Sequence, residues 1–537
     1  MAPFLECYVL PACLVGVSLV ACGARTAPDP GSGSAAPDAG DALADEMLLR
    51  DSAVPDAILP DGPPCAERPP RLVAPLSTLR LTTRRPTLLL EPGTAPGSTQ
   101  VQLCADRSCG RVLEEVVTTG GPARPAGELP LGVVFWRASS RGCSPAQRLW
   151  SHTWEFSVPA RSASHEAWTG RYVDINGDGL ADLMAYDVRA PQENAFPVLF
   201  GARDGLALRP ATLSLDATGI GCVFSTYLGD VNGDGFGDAA LFVRPLAAPT
   251  AHLEVSYGDG AEPLRRRGIL VATERYPFVF PLDDVNGDGY ADVGTFLEGP
   301  NVLHVYFGSS IGPIPSRLRI EAPEGESIFR AGSIGDPDSD GRAEFTARVA
   351  RTPTLFDFTG TALVPTPLMI SRDVALGAGA AGDLDGDGHV DIFAGLSVVD
   401  YLRGAGLGSG GVTQLARRDY AGSGCGAVLW PLGDTNGDGY DDMAENDCVD
   451  VTFLRGGPAT WPAGTERLVL PPHPPLHPWN IRAAGDVDGD GIDDAVGSSA
   501  FQLLIVHGAR SGSIPNVEMR PWPVFEAAIY TPFSFLW

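Results

Sequence analysis

Basic residues are scarce in this chain. Over 537 residues, 38 lysines and arginines stand against 66 aspartates and glutamates, a formal net charge of −28. A nucleic-acid surface needs a basic footprint, so that partner class is excluded, and cation binding fits better. Zinc chemistry lacks its parts: there is no CxxC, and no paired histidines stand near a carboxylate. A nucleophile elbow is also missing. The stretch Gly406–Gly411 matches GxGxxG, but no helical pattern follows it, which removes a dinucleotide site. These absences lead to the expectation that the chain is not an enzyme. After residue 21 no apolar run is long enough to cross a membrane. Long helices are disfavoured as well, because 65 glycines and 48 prolines favour turns and short strands.

The N-terminus reads as an export signal over residues 1–21, with an apolar run at Val9–Ala21. Leu19-Val20-Ala21-Cys22 resembles a bacterial lipobox. That resemblance implies cleavage before Cys22 and lipidation of its thiol. It places the protein at the outer membrane or cell surface, or else in the periplasm or medium. Met1–Tyr8 departs from the pattern, having no Lys or Arg and carrying Glu6. Residues 22–64 are rich in Pro, Ala and Asp and read as a disordered linker. Beyond the signal and Cys22, seven cysteines remain: Cys65, Cys104, Cys109, Cys143, Cys222, Cys425 and Cys448. Cys104 and Cys109 could close a short hairpin, and Cys425 and Cys448 flank one acidic loop.

Residues 65–161 contain strand candidates at Leu79–Leu81, Thr87–Leu90, Val101–Leu103, Val133–Arg137 and Thr153–Val158. "ELPLGVVFWRA" and "WSHTWEFSVP" resemble closing strands of fibronectin type III or immunoglobulin-like sandwiches, which implies a core role for Trp136.

From about residue 164 to 537 one nine-residue pattern recurs seven times, starting at Asp174, Asp230, Asp284, Asp336, Asp383, Asp434 and Asp486. Successive starts are 56, 54, 52, 47, 51 and 52 residues apart. "DVNGDGFGD" at Asp230 is typical. Positions 1, 3, 5 and 9 carry oxygen side chains, position 6 is glycine, and position 7 offers a carbonyl. Calcium takes six to eight such oxygens, and a divalent ion makes the crowded carboxylates tolerable. The predicted ligands, ending each time with the position-7 carbonyl and the position-9 acid, are as follows. The first loop offers Asp174, Asn176, Asp178, Leu180 and Asp182, and the second Asp230, Asn232, Asp234, Phe236 and Asp238. The third offers Asp284, Asn286, Asp288, Tyr290 and Asp292, and the fourth Asp336, Asp338, Asp340, Arg342 and Glu344. The fifth offers Asp383, Asp385, Asp387, His389 and Asp391, and the sixth Asp434, Asn436, Asp438, Tyr440 and Asp442. The seventh offers Asp486, Asp488, Asp490, Ile492 and Asp494. No EF-hand is formed, because position 12 after Asp174 is Ala185. The fourth loop departs most, lacking Gly at position 4 and using Glu at position 9, and is expected to be the weakest.

Strands ending in glycine follow the loops: "VLFG", "VSYG", "VYFG", "YLRG" and "IVHG". Four short strands per repeat fit a propeller. The repeats resemble FG-GAP (VCBS-type) repeats, as in the seven-bladed head of integrin alpha subunits. The resemblance implies an all-β fold: a seven-bladed β-propeller preceded by a small β-sandwich, with up to seven structural Ca2+ ions. It implies a surface module for an unknown protein, glycan or matrix ligand, held to the membrane by the lipid alone. A lectin-like propeller is the alternative, although Trp430, Trp461, Trp479 and Trp522 recur at no common position. The strand that closes the ring stays open between the tail "IYTPFSFLW" and Ser164–Tyr172.

Overall fold

The computed structural model describes residues 68–530 apart from short stretches, mostly between strands, such as 94–96, 142–147, 188–196, 369–377 and 471–479. The export signal, the linker, Cys22, Cys65, Cys143, Cys425, Cys448, Trp479 and Trp522 lie outside the described residues. Among those residues every regular element is a strand, so the chain is all-β.

The N-terminal part forms a six-stranded sheet and a two-stranded one. Across the larger sheet the order is Val112–Thr118, Thr99–Cys104, Gly132–Ser140, Trp154–Val158, Leu79–Leu81 and Trp168–Arg171. Arg71–Ala74 pairs with Leu89–Glu91. Gly132–Ser140 buries Val134, Phe135 and Trp136 in succession, and Trp136 is fully buried with its ring edge-on to Trp154 at 6.0 Å. Cys104 and Cys109 are joined in a disulfide, as their spacing suggested. Two strands escaped the sequence reading, Arg71–Ala74 and Val112–Thr118, while Trp168–Arg171 falls within Ser164–Tyr172, one of the two segments weighed for closing the ring. Val112–Thr118 is an exposed edge whose alternation is broken by paired glutamates. Trp168–Arg171 lies inside the repeat region but pairs with Leu79–Leu81.

Among the described residues seven four-stranded antiparallel sheets follow, and the second to seventh are simple up-and-down meanders. The second consists of Ile220–Gly229, Asp238–Pro245, Ala251–Tyr257 and Arg266–Thr273. The third to seventh cover 278–321, 328–367, 378–419, 428–468 and 480–521. Inner strands are mostly small or apolar in composition, with Arg330, Asn480 and Arg482 among the exceptions. Ala378–Gly382 contains only Ala and Gly and is buried throughout. Outer strands alternate half-buried and exposed positions and carry charge, as in Leu318–Glu321 and Thr413–Asp419. Charged edges of this kind discourage pairing with another chain.

The first sheet differs. Leu183–Asp187, Pro197–Phe200 and Ala207–Thr212 are joined by Ala527–Tyr530, which pairs with Leu183–Asp187 from 340 residues downstream (Ala527 lies opposite Asp187). In the other sheets this place belongs to the strand that leads into the acidic loop. Here that strand, Trp168–Arg171, has been taken by the N-terminal sheet, and the C-terminal strand fills the gap. Each sheet touches the next, and the seventh touches Ala527–Tyr530 of the first, so the succession returns on itself.

Candidate metal centre

In the second to seventh sheets the acidic pattern forms the hairpin between the first two strands. The residue before position 1 pairs with position 9 across a bulge: Gly229 with Asp238, Asp283 with Asp292, Gly382 with Asp391. That preceding residue has positive φ, 84° at Gly229 and 60° at Asp283. Glycine meets this demand, and aspartate tolerates it. The sequence carried this signal just outside the nine-residue window.

Inside each loop the carboxylates are aimed by backbone N–H groups. In the second, Asp230 Oδ1 accepts from Gly233 at 2.6 Å and Asp234 at 3.1 Å, and its Oδ2 accepts from Gly235 at 2.7 Å. Asp238 accepts from Val231 and from Gly258, the glycine that ends "VSYG". Gly201, Gly308, Gly404, Gly456 and Gly508 donate likewise to their own position-9 acids. Even so, the acids are hard to ionise in the absence of a cation. Burial, then the charge of Asp234, pushes Asp230 up to about 8. Burial, then Asp494, pushes Asp486 up to about 8.

Among the described residues, three loops bring carboxylate donors within 4.8 Å of one another: Asp336, Asp338, Asp340 and Glu344; Asp383, Asp385 and Asp391; and Asp486, Asp488 and Asp490. In the first, second, third and sixth loops position 3 is asparagine, and its amide bonds the position-5 acid at 2.9–3.1 Å. In the fifth and sixth loops an arginine just before the donating glycine reaches in. Arg403 pairs with Asp385, and Arg455 pairs with Asp442 at 2.7 Å.

The fourth loop, expected to be the weakest, makes the largest unmet demand. Pro337 at position 2 has no N–H, so the position-9 acid loses its usual donor. Both oxygens of Glu344 are buried without a hydrogen-bond partner. Burial, then Asp336, Asp338 and Asp340, pushes Glu344 up to about 11. Such a group is costly unless a cation is present, and the donor set is all hard oxygen, the chemistry calcium takes. The residues therefore fit the ion.

Neighbouring loops are laced together. The position-8 N–H of one loop donates to the position-1 carbonyl of the loop before it: Gly237 to Asp174, Ala291 to Asp230, Ala343 to Asp284, Asp441 to Asp383, Asp493 to Asp434, and Ala181 to Asp486. Among the described residues the bond between the fourth and fifth loops is not formed. There, His389 Nδ1 lies 2.7 Å from the Pro337 carbonyl instead. Position 7, read from sequence as a carbonyl donor, thus also works through its side chain. A Cβ on Gly177 would strike Phe236, and one on Gly233 would strike Tyr290. The glycine at position 4 makes room for the next loop's position-7 residue, and Ser339 replaces it where His389 takes another course.

The N-terminal sheet sits on these loops. Arg107 donates to the carbonyls of Gly177 and Gly235, Trp154 to Gly233, Arg71 to Asp288, and Ser164 to Asp387. The Arg107 guanidinium lies over Phe236 at 4.3 Å and that of Arg161 over Tyr440 at 4.6 Å. At six loops a Cβ on the position-6 glycine would meet this domain; at Gly341 of the fourth loop it would meet nothing within 4 Å. Gly235→Ala puts a methyl 2.2 Å from the Thr153 carbonyl. It should therefore lower the melting midpoint more than Gly341→Ala, which incurs only the backbone cost of about 1 kcal/mol for a left-handed residue. Equal effects in thermal melts would contradict this packing.

Two buried arginines complete the seat. Arg80 pairs with Asp493 at 2.6 Å beside Asp441, and Arg171 pairs with Asp283 while donating to the Leu228 carbonyl at 2.6 Å. Asp441 and Asp493 stand at position 8, and Asp283 stands just before position 1. All three are acids beyond the repeat's own set. Trp430 and Trp461 are buried core residues.

No family model matches the chain, and no curated protein matches it. Among solved structures it is similar to an Agrocybe aegerita lectin that recognises non-reducing terminal N-acetylglucosamine. That match has 16% identity and a TM-score of 0.46 over 66% of this chain and 96% of the lectin. A putative 6-phosphogluconolactonase from Bacteroides uniformis matches with 10% identity and a TM-score of 0.40, over 65% of this chain and 98% of that one. The Dos1 propeller matches with 11% identity and a TM-score of 0.30, over 83% and 95%. The expectation that the chain is not an enzyme is corrected here. One of these structures is described as a putative lactonase, and enzymatic activity is an open question for this chain.

Proposed function

We propose that the chain is a calcium-stabilised, seven-bladed β-propeller of the FG-GAP kind, with a sandwich domain seated on its loop face. In this reading it serves as a ligand-binding or adhesion module, exported and tethered through Cys22. Seven consecutive four-stranded sheets, the return of the last to the first, and the hairpin position of the acidic loops in the second to seventh sheets support the architecture. One observation carries the calcium: Glu344, buried with both oxygens unpartnered among three aspartates. Calcium counted on the 65–537 fragment by mass spectrometry under non-denaturing conditions tests the reading. Several ions per chain are expected, and none at millimolar calcium rejects it. Glycan arrays and pull-downs from envelope extracts, both run in calcium, identify the ligand class.

Glu344→Gln gives a second, two-signed test. In millimolar calcium the variant should be less stable by about 1.4 kcal/mol, the worth of one site with Kd about tenfold below the free ion. In chelator it should be more stable than the wild type, because Glu344 must take up a proton to be buried there, a cost that the neutral amide does not bear. A change of the same sign in both buffers contradicts a cation at Glu344.

A further inference from the structure

We propose that the seventh loop holds a divalent transition ion of the manganese-to-zinc class, bound through the imidazole of His507. This rests on the reading of the loops as cation sites and names a different ion for one of them. The residue just before the donating glycine is Phe200 in the first sheet and Phe307 in the third, side chains with no lone pair to offer. In the fifth and sixth it is an arginine. In the seventh it is His507, whose Nδ1 lies 3.2 Å from Asp488 Oδ2 and 3.7 Å from Asp494 Oδ1. The three donor atoms stand within 4.8 Å of one another.

Two features separate this cluster from the other loops. First, it contributes nitrogen. Calcium and magnesium take oxygen, whereas imidazole suits the later first-row ions. Bonds of about 2.0–2.2 Å place adjacent donors about 3 Å apart, close to the observed spacing. Second, the far side of the ring is backed by a carboxylate, with Glu518 Oε2 3.7 Å from Nε2. At this distance, longer than a hydrogen bond, the Glu518 charge favours the proton on Nε2 and leaves the Nδ1 lone pair for the ion. A proton held on Nδ1 leaves to solvent when the metal binds.

The test uses the full folded chain in excess calcium, titrated with Co2+ and then Zn2+. One zinc per chain should be retained against calcium, and cobalt should give a visible band of nitrogen–oxygen ligation that zinc removes. His507→Phe, which installs the residue already present at this place in two other sheets, should lose the band and the zinc. His507→Gln serves as a second variant of similar size. A wild type that takes no zinc overturns the inference, as does a variant that still holds it. Calcium counted in the same samples separates the failures. Zinc missing while calcium is bound rejects this inference alone; neither metal bound rejects the cation reading of the loops as well.

Discussion

Held in excess chelator, the protein melts on the order of 10 °C below its midpoint in millimolar calcium. A site with Kd about 0.1 mM contributes roughly 1.4 kcal/mol at about 1 mM ion, so up to seven sites contribute on the order of 10 kcal/mol. One kcal/mol shifts the midpoint by about 2–4 °C in domains of 150–250 residues, and by less in a chain of this length. The difference should also depend on pH. Burial raises the loop acids: Asp284 and Asp336 to about 7, Asp230 and Asp486 to about 8, Glu344 to about 11. An acid whose folded pKa exceeds its unfolded value holds its proton more tightly when folded. Its stabilisation is complete below the unfolded value, about 4, and disappears as pH rises through the folded value. The chelated protein should therefore weaken steadily between about pH 4 and pH 8. Calcium needs the ionised acids and opposes that trend. The gap between calcium and chelator melts is thus expected to be wider at pH 8 than at pH 5. A gap that is flat with pH, or absent, counts against buried cation cages.

Arg80→Met should destabilise the protein by about 3–5 kcal/mol, the range for breaking a buried pair from one side. The substitution keeps the unbranched apolar stem but leaves Asp493 and Asp441 buried without their cation. Thr169, which bonds Asp441, compensates only in part. Removing the acid as well should recover much of the loss, so Arg80→Met with Asp493→Asn is expected to be more stable than the sum of the two single changes implies. Denaturant unfolding of the four proteins in calcium measures this coupling. Additive effects would show that Arg80 contributes to the seat by packing alone.

Much of this was legible in the sequence because the repeat is written in residue types with a single physical purpose. Gly235 and its counterparts, the acids at odd positions and the period near 52 fixed the hairpins, and the strand-closing glycines fixed the return strands. Trp136 and the Cys104–Cys109 link followed from local pattern. What escaped notice depended on partners distant in the chain. Asp283, Asp441 and Asp493 looked like more of the same acid, yet they answer Arg171 and Arg80 from strands of the N-terminal sheet. Phe236 and Tyr440 were read only for their carbonyls, because the arginines that cover them lie more than a hundred residues away. The expectation for the fourth loop came from counting consensus matches. Pro337 removes a donor, and only the folded surroundings show what Glu344 then lacks. Ala527–Tyr530 overlaps the tail weighed for closing the ring, but its pairing with Leu183–Asp187 depended on a place vacated by a strand drawn elsewhere.

The lacing of the loops has one missing stitch, between the fourth and fifth, and the same neighbourhood is where the N-terminal domain leaves a loop bare. A hoop under strain parts at its weakest joint, and here that joint is not where the two chain ends meet. Thermal breathing should begin beside Val390, whose amide is expected to trade its proton for deuterium faster than those of Ala181, Gly237 or Ala291. The clasp of first and last strands, the obvious point of rupture in a circularised chain, would then be among the later parts to let go.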